Sequence, residues 1–275
     1  MRAFVAMTIL FWCLINASPA LATDPWKRIA GEATDIAIGG NGDPWIIGWT
    51  RYETEYYYKV PYVHKDGAWK VERCGHCVPN QLAVDDQGNA WYINYEYFLF
   101  RFDGTSFQRV TGPHKTGVVR DLKIGADGTK WIHTPATKPK SPPALWRSRG
   151  ETWEEIPEPG RHVYAVDPKG MAWTIDDQLV PYRYDGAAFV RVPGLSFSRA
   201  PSGIAVGADG SVWIIGGKRD DKIDAIFFWN AETQTQTRVA GWGNRIALMP
   251  DGHPWIIRGA EIYRWDAPLP NSQSN

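Results

Sequence analysis

Four side chains of one short stretch have the types that bind anions: His114, Arg120, Lys123 and His133. Between Phe107 and Arg149 nine basic residues stand against two acidic ones (Arg109, Lys115, Arg120, Lys123, Lys130, Lys138, Lys140, Arg147 and Arg149 against Asp121 and Asp127), a net of +7. A field of that sign on a chain with 30 basic and 30 acidic residues attracts phosphate or carboxylate groups; the plainer reading is a solvated basic surface carrying a tolerated His. A second set is aromatic. Tyr52, Tyr95, Tyr97, Phe197 and Trp242, beside Arg51, Arg199 and Asn244, combine ring faces suited to the C–H surface of a sugar with planar hydrogen-bonding groups for its hydroxyls, although loop packing also accounts for each ring.

Cys74-Gly-His-Cys77 has the spacing of a redox motif but sits between strands, with no helix to lower a thiol pKa. The expected state is a local Cys74–Cys77 disulfide, and a metal role with His76 lacks a fourth ligand. Asp85-Asp86 and Asp220-Asp221 are adjacent carboxylates whose side chains point apart in strands or turns. No G-x-S-x-G, H-E-x-x-H or phosphate-binding glycine loop occurs, and the inner strands read as Ile, Val, Ala and Gly. These observations predict a binding protein, not an enzyme, with no catalytic residue, cofactor or metal.

The elements that position these groups come from a repeat. Aligned on Trp45, Trp91, Trp131, Trp173, Trp213 and Trp255, the chain shows intervals of 46, 40, 42, 40 and 42 residues. A Gly precedes every one of these Trp by three residues, and apolar pairs stand nine and seven residues before (Ile36/Ile38 through Ile246/Leu248). Period-2 alternation, a Gly turn and a second strand make a hairpin. A further hairpin follows, as in LFRFDGTSFQRV (99–110). Four strands per ~42 residues, repeated radially, predict an all-β, six-bladed β-propeller with four antiparallel strands per blade. Trp26–Ile29 and Glu261–Trp265 are the two lone strands whose pairing closes the ring. Each buried repeat Trp removes ~200 Å² from water, so the six are core. Eight residues before each Trp lies an Ala, replaced once by Lys123; His133 likewise replaces an Ile found in the other five copies. Both departures fall in the third repeat, where functional residues are expected.

Residues 1–22 have the charge, the apolar run and the Ala20-Leu-Ala22 end of a cleaved signal peptide. The run is too short to span a membrane, so a secreted or periplasmic chain is expected, with a propeller over 23–268 and a disordered tail over 269–275. Balanced charge gives no pull toward nucleic acid.

FVRVPG (189–194), GIAVGADGSVWIIG (203–216) and EIYRWD (261–266) resemble the tectonin repeat, and the likeness runs through about 24–266. Tectonin- and tachylectin-like proteins are mostly six-bladed lectins for glycans or bacterial lipopolysaccharide. The resemblance implies a carbohydrate-binding module, with a glycan or lipopolysaccharide as partner. A protein-interaction scaffold is the alternative. The loops opposite the Gly turns are the expected binding face.

Overall fold

The computed structural model describes residues 24–51, 57–72, 74, 77–113, 117–135, 143–157, 159–217 and 224–270. Strand β1 (Trp26–Glu32) opens the chain. Blade 1 then holds β2 (Asp35–Ile38), β3 (Pro44–Arg51), β4 (Tyr57–Lys65) and β5 (Ala68–Val71). Blade 2 holds β6 (Pro79–Val84), β7 (Ala90–Asn94), β8 (Leu99–Phe102) and β9 (Phe107–Val110). Blade 3 is β10 (Asp121–Ile124), β11 (Lys130–Thr134), β12 (Ala144–Arg149) and β13 (Thr152–Ile156). Blade 4 is β14 (Gly160–Val166), β15 (Ala172–Asp176), β16 (Pro181–Tyr184) and β17 (Phe189–Arg191), and blade 5 is β18 (Pro201–Val206), β19 (Val212–Gly216), β20 (Ala225–Asn230) and β21 (Thr235–Trp242). Blade 6 joins β22 (Arg245–Leu248), β23 (Pro254–Arg258) and β24 (Glu261–Trp265) to β1.

The chain is therefore a six-bladed β-propeller of four-stranded antiparallel sheets, closed by its first and last strands. The closing ladder runs from Trp26 opposite Trp265 to Ile29 opposite Ile262. Trp26 fixes it: the ring meets Trp265 edge-on at 5.1 Å, and its indole N–H donates to the Ala240 carbonyl at 2.7 Å. Leu269, the first residue of the expected tail, packs on blade 6; residues 1–23 and 271–275 lie outside the described residues. Among the described residues no helix is long and apolar enough to cross a membrane.

Alternation along the inner strands builds the core between blades. In five of the six sheets one face presents the small residue, the repeat Trp and the Ile beyond it to the apolar pair of the next blade, and blade 3 has Lys123 and His133 at the outer two places. Ala83, Trp91 and Ile93 pack on Leu122 and Ile124, and Ala247, Trp255 and Ile257 pack on Ile36 and Ile38. Small side chains at this position make room for the next blade, as their size suggests.

The first turn of every blade uses its Gly at positive φ. Gly170 shows why no other residue serves. Its φ is +77°, and a Cβ there would stand 2.2 Å from the Asp127 carboxylate of the preceding blade. Carboxylates hold these turns internally. Asp85 accepts the backbone N–H groups of Gln87 and Asn89 and the Trp91 indole N–H at 3.0 Å. Asp167 accepts from Lys169 and Met171 and takes both Nε (2.9 Å) and Nη2 (2.8 Å) of Arg183. Both are buried and fully engaged in structure.

Candidate functional site

A central cavity of about 700 Å³ runs down the ring axis, walled by the six inner strands. Its turn-face end is lined by Gly40, Ala126, Pro168, Ala208 and Pro250. The opposite mouth is lined by the residue ten before each repeat Trp, which is polar in four of the six blades. Round the ring these residues are Asp35, Gln81, Asp121, Val163, Gly203 and Arg245.

These side chains tie neighbouring blades. Asp35 accepts the Leu82 N–H at 2.9 Å and faces Arg245 Nε at 3.4 Å. Gln81 brackets the Leu122 backbone, accepting its N–H at 3.2 Å and donating to its carbonyl at 3.1 Å, and it also donates to Asp121. Lys123 Nζ lies 3.4 Å from Asp121. The two carboxyls, on blades 1 and 3 with Gln81 of blade 2 between them, feel opposite environments. Burial pushes the Asp35 carboxyl above the usual carboxylate range, against the pull of Arg245, the Leu82 N–H and Lys123. Burial acts on Asp121 as well, but Lys123, the Gln81 hydrogen bond and His133 outweigh it and hold the group below that range. One mouth thus carries a carboxyl that gives up its proton at higher pH than usual and another that gives it up at lower pH.

The structure brings three of the expected residues together. Lys123 lines the cavity. Arg120 is exposed at the mouth with its guanidinium 5.8 Å from the Tyr97 ring, and its backbone N–H donates to the His133 carbonyl at 2.8 Å. His133 pairs in register with Asp121 and is only 3% exposed, so it acts on the mouth through Asp121 rather than by touching a ligand. Tyr95 is 55% exposed on the rim of blade 2, with Lys59 Nζ 5.9 Å from its ring and 5.3 Å from that of Trp49, itself 46% exposed. Phe197 and Trp242 stand elsewhere on the ring. Phe197 is half-buried on the blade 4–5 core, and Trp242, 37% exposed, lies 5.9 Å from the Arg258 guanidinium. His114, Tyr52 and His76 lie outside the described residues. A disulfide joins Cys74 and Cys77, with Cα atoms 5.3 Å apart, in the loop that leads into β6.

Asp35, Gln81, Asp121 and Arg245 were missed as a set because the inner strands were read from the apolar pair onward. The signal is in the same alignment, one residue upstream. Trp49 and Lys59 were also missed; they lie on β3 and β4.

No protein-family model and no curated protein matches the sequence. Solved structures do. A candidate gluconolactonase is similar with a TM-score of 0.58 at 12% identity, over 87% of this chain and 90% of the other. Streptogramin B lyase gives 0.54 at 16% identity, over 87% and 96%, and YCF48 bound to D1 peptide gives 0.57 at 16%, over 91% and 99%. At such identities the likeness establishes the propeller fold. It also corrects the expectation that the chain is not an enzyme, since two of these propellers carry enzyme names. The physical reason is plain in this chain: a mouth assembled from one side chain per blade leaves its residues about 40 positions apart, where no contiguous motif can record them.

Proposed function

We propose that this chain is an exported, tectonin-like propeller that binds an acidic glycan, such as the phosphorylated or carboxylated saccharide of a lipopolysaccharide, at the loop-face mouth of its channel. Arg120, Lys123 and Arg245 meet the negative groups, Asp35 and Gln81 take hydroxyls, and Trp49 and Tyr95 supply ring faces. The observation that carries this reading is the coincidence, on one face, of a cation-bearing cavity mouth and exposed aromatic side chains. The Cys74–Cys77 disulfide supports export to an oxidising compartment.

The test is binding of the exported chain to a glycan and lipopolysaccharide array at low and high salt, beside an Arg120→Gln/Lys123→Gln variant. Salt-sensitive capture of anionic glycans, weakened in the variant, is expected. Neutral glycans held equally by both proteins would move the site to the aromatic rim, and an empty array would remove the reading. Mass spectrometry of the eluted saccharide separates binding from turnover.

A protein scaffold is the second reading. It is supported by the placement of five of the seven large apolar side chains exposed among the described residues: Trp49, Val78, Tyr95, Tyr97 and Trp242 all stand on the loop face. Capture of one protein that free sugar does not compete would favour it.

A further inference from the structure

Blade 1 is taller than the rest on the loop face. In the other five blades the second strand stops three residues after the repeat Trp, at Asn94, Thr134, Asp176, Gly216 and Arg258. The same position in blade 1 is Gly48, yet β3 runs on to Arg51, and the ladder continues with Gly48 opposite Val60 and Trp49 opposite Lys59. Alternation puts Trp49 and Lys59 on the face that Trp45 and Ile47 turn to blade 2, beyond the core those two residues share with it.

Blade 2 meets this extension with a turn that carries Tyr95 and Tyr97. Blade 4 has the same turn. In each, the side chain of the opening residue, Asn94 or Asp176, accepts two backbone N–H groups, and the residue three further on, Tyr97 or Leu179, stands at positive φ. The turn therefore forms without aromatic side chains. Blade 4 places Asp177 and Leu179 there, and Leu179 packs on the blade 4–5 core, whereas Tyr95 and Tyr97 are both exposed. Three of the four large aromatic side chains exposed among the described residues, Trp49, Tyr95 and Tyr97, thus gather on the adjoining edges of blades 1 and 2.

Cations order these rings into a track that begins at the mouth. Arg120, in the cavity lining, has its guanidinium 5.8 Å from the Tyr97 ring; Tyr95 lies two residues back on the same turn. Lys59 Nζ then bridges Tyr95 and Trp49, at 5.9 Å and 5.3 Å from their rings. The Tyr97 carbonyl accepts the Val119 N–H at 2.8 Å, which ties the turn to the segment that carries Arg120. Rings alternating with cations suit a chain of sugar units bearing more than one negative charge. A line of three rings leading into a cavity is also narrow for a protein partner, which needs about 800 Å² on each side.

We propose that the ligand of the mouth is a saccharide chain, not a single sugar: its acidic end lies at Arg120 and Lys123, and its next units run over Tyr97 and Tyr95 to Trp49, with a second negative group at Lys59. This rests on the acidic-glycan reading of the mouth and adds the length and direction of the ligand.

The experiment titrates galacturonic acid and its linear oligomers of two to six units into the chain, and in parallel lipid-free lipopolysaccharide core oligosaccharides truncated stepwise, read by calorimetry and tryptophan fluorescence. Affinity should climb with each added unit to a plateau at about four, one for the mouth and one for each ring. Trp49→Ala and Lys59→Gln should each lower the ratio of longest-chain to shortest-chain affinity by about tenfold, whereas Arg120→Gln weakens every length. Thermal midpoints close to the parent's check that the variants fold. A single unit held as tightly as the longest chain, or a ratio unchanged by both Trp49→Ala and Lys59→Gln, overturns the inference and leaves the mouth as a site for one acidic sugar. No binding by either series at any length removes the inference together with the reading beneath it. Binding of a protein that Trp49→Ala abolishes and the longest oligomer does not displace would assign the track to that protein, and overturns the inference as well.

Discussion

The two faces of the ring use the same residue types for opposite ends. On the turn face Asp85 and Asp167 close on the backbone and arginine of their own blades, and their hydrogen-bonding capacity is consumed. On the loop face Asp35 and Gln81 reach sideways to the next blade, Asp121 accepts from Gln81 of the blade before, and all three still line a cavity mouth. Where the repeat is obeyed, polar groups are structure. Where it varies, they remain open to a ligand. The largest effect that would break this contrast is at Asp167. Asp167→Ala leaves two turn N–H groups and a half-buried guanidinium without their acceptor, and should lower stability by about 3 kcal/mol in urea or thermal unfolding while loop-face binding stays intact. A cost no larger than that of a loop-face substitution would sink the distinction.

Gly170→Ala tests the same face through the backbone. The residue would have to hold φ near +77° and push aside the Asp127 carboxylate, for a loss of about 2 kcal/mol. The loop face should respond in the reverse sense. Arg120→Gln and Lys123→Gln each alter unfolding by less than about 1 kcal/mol, since both side chains are solvent-accessible, yet together they should weaken an acidic glycan by tenfold or more. Tyr95→Ala is smaller still in stability, about 0.5 kcal/mol, and its binding loss reads whether the aromatic rim takes part.

How much of this is visible in sequence depends on whether a feature repeats. Six Trp, six turn glycines and six apolar pairs state the blades, and even the closing partnership of Trp26–Ile29 with Glu261–Trp265 is legible, because each half-blade lacks a complement. The Lys123 and His133 departures also lie at the loop-face mouth, Lys123 in its lining and His133 in register with Asp121. What the sequence hides is partnership across blades. His133 looks like a ligand-binding group until its burial beside Asp121 is known, and nothing local to residue 35 announces Arg245, which lies 210 positions away.

The subtlest consequence of the mouth lies in its pH response, because its two carboxyls oppose each other. Asp121 is held below the range of an unfolded carboxyl, about 3.9, so its contribution is complete above that pH and is lost as pH falls through the lowered value. Asp35 is pushed above that range, so the folded chain holds its proton longer than the unfolded chain does. Its contribution is complete below about pH 4 and is lost as pH rises through the raised value. The sum is a shallow profile. Each Asn variant should uncover the other slope: Asp121→Asn shows a deficit that is full above about pH 4 and shrinks on acidification, whereas Asp35→Asn, which can still accept the Leu82 N–H, gains on the parent chain as pH rises from about 4. Urea midpoints across a pH series measure both. Parallel curves for the two variants would mean that the carboxyls share one environment, and the assignment of opposite shifts to Asp35 and Asp121 at the same mouth would fail.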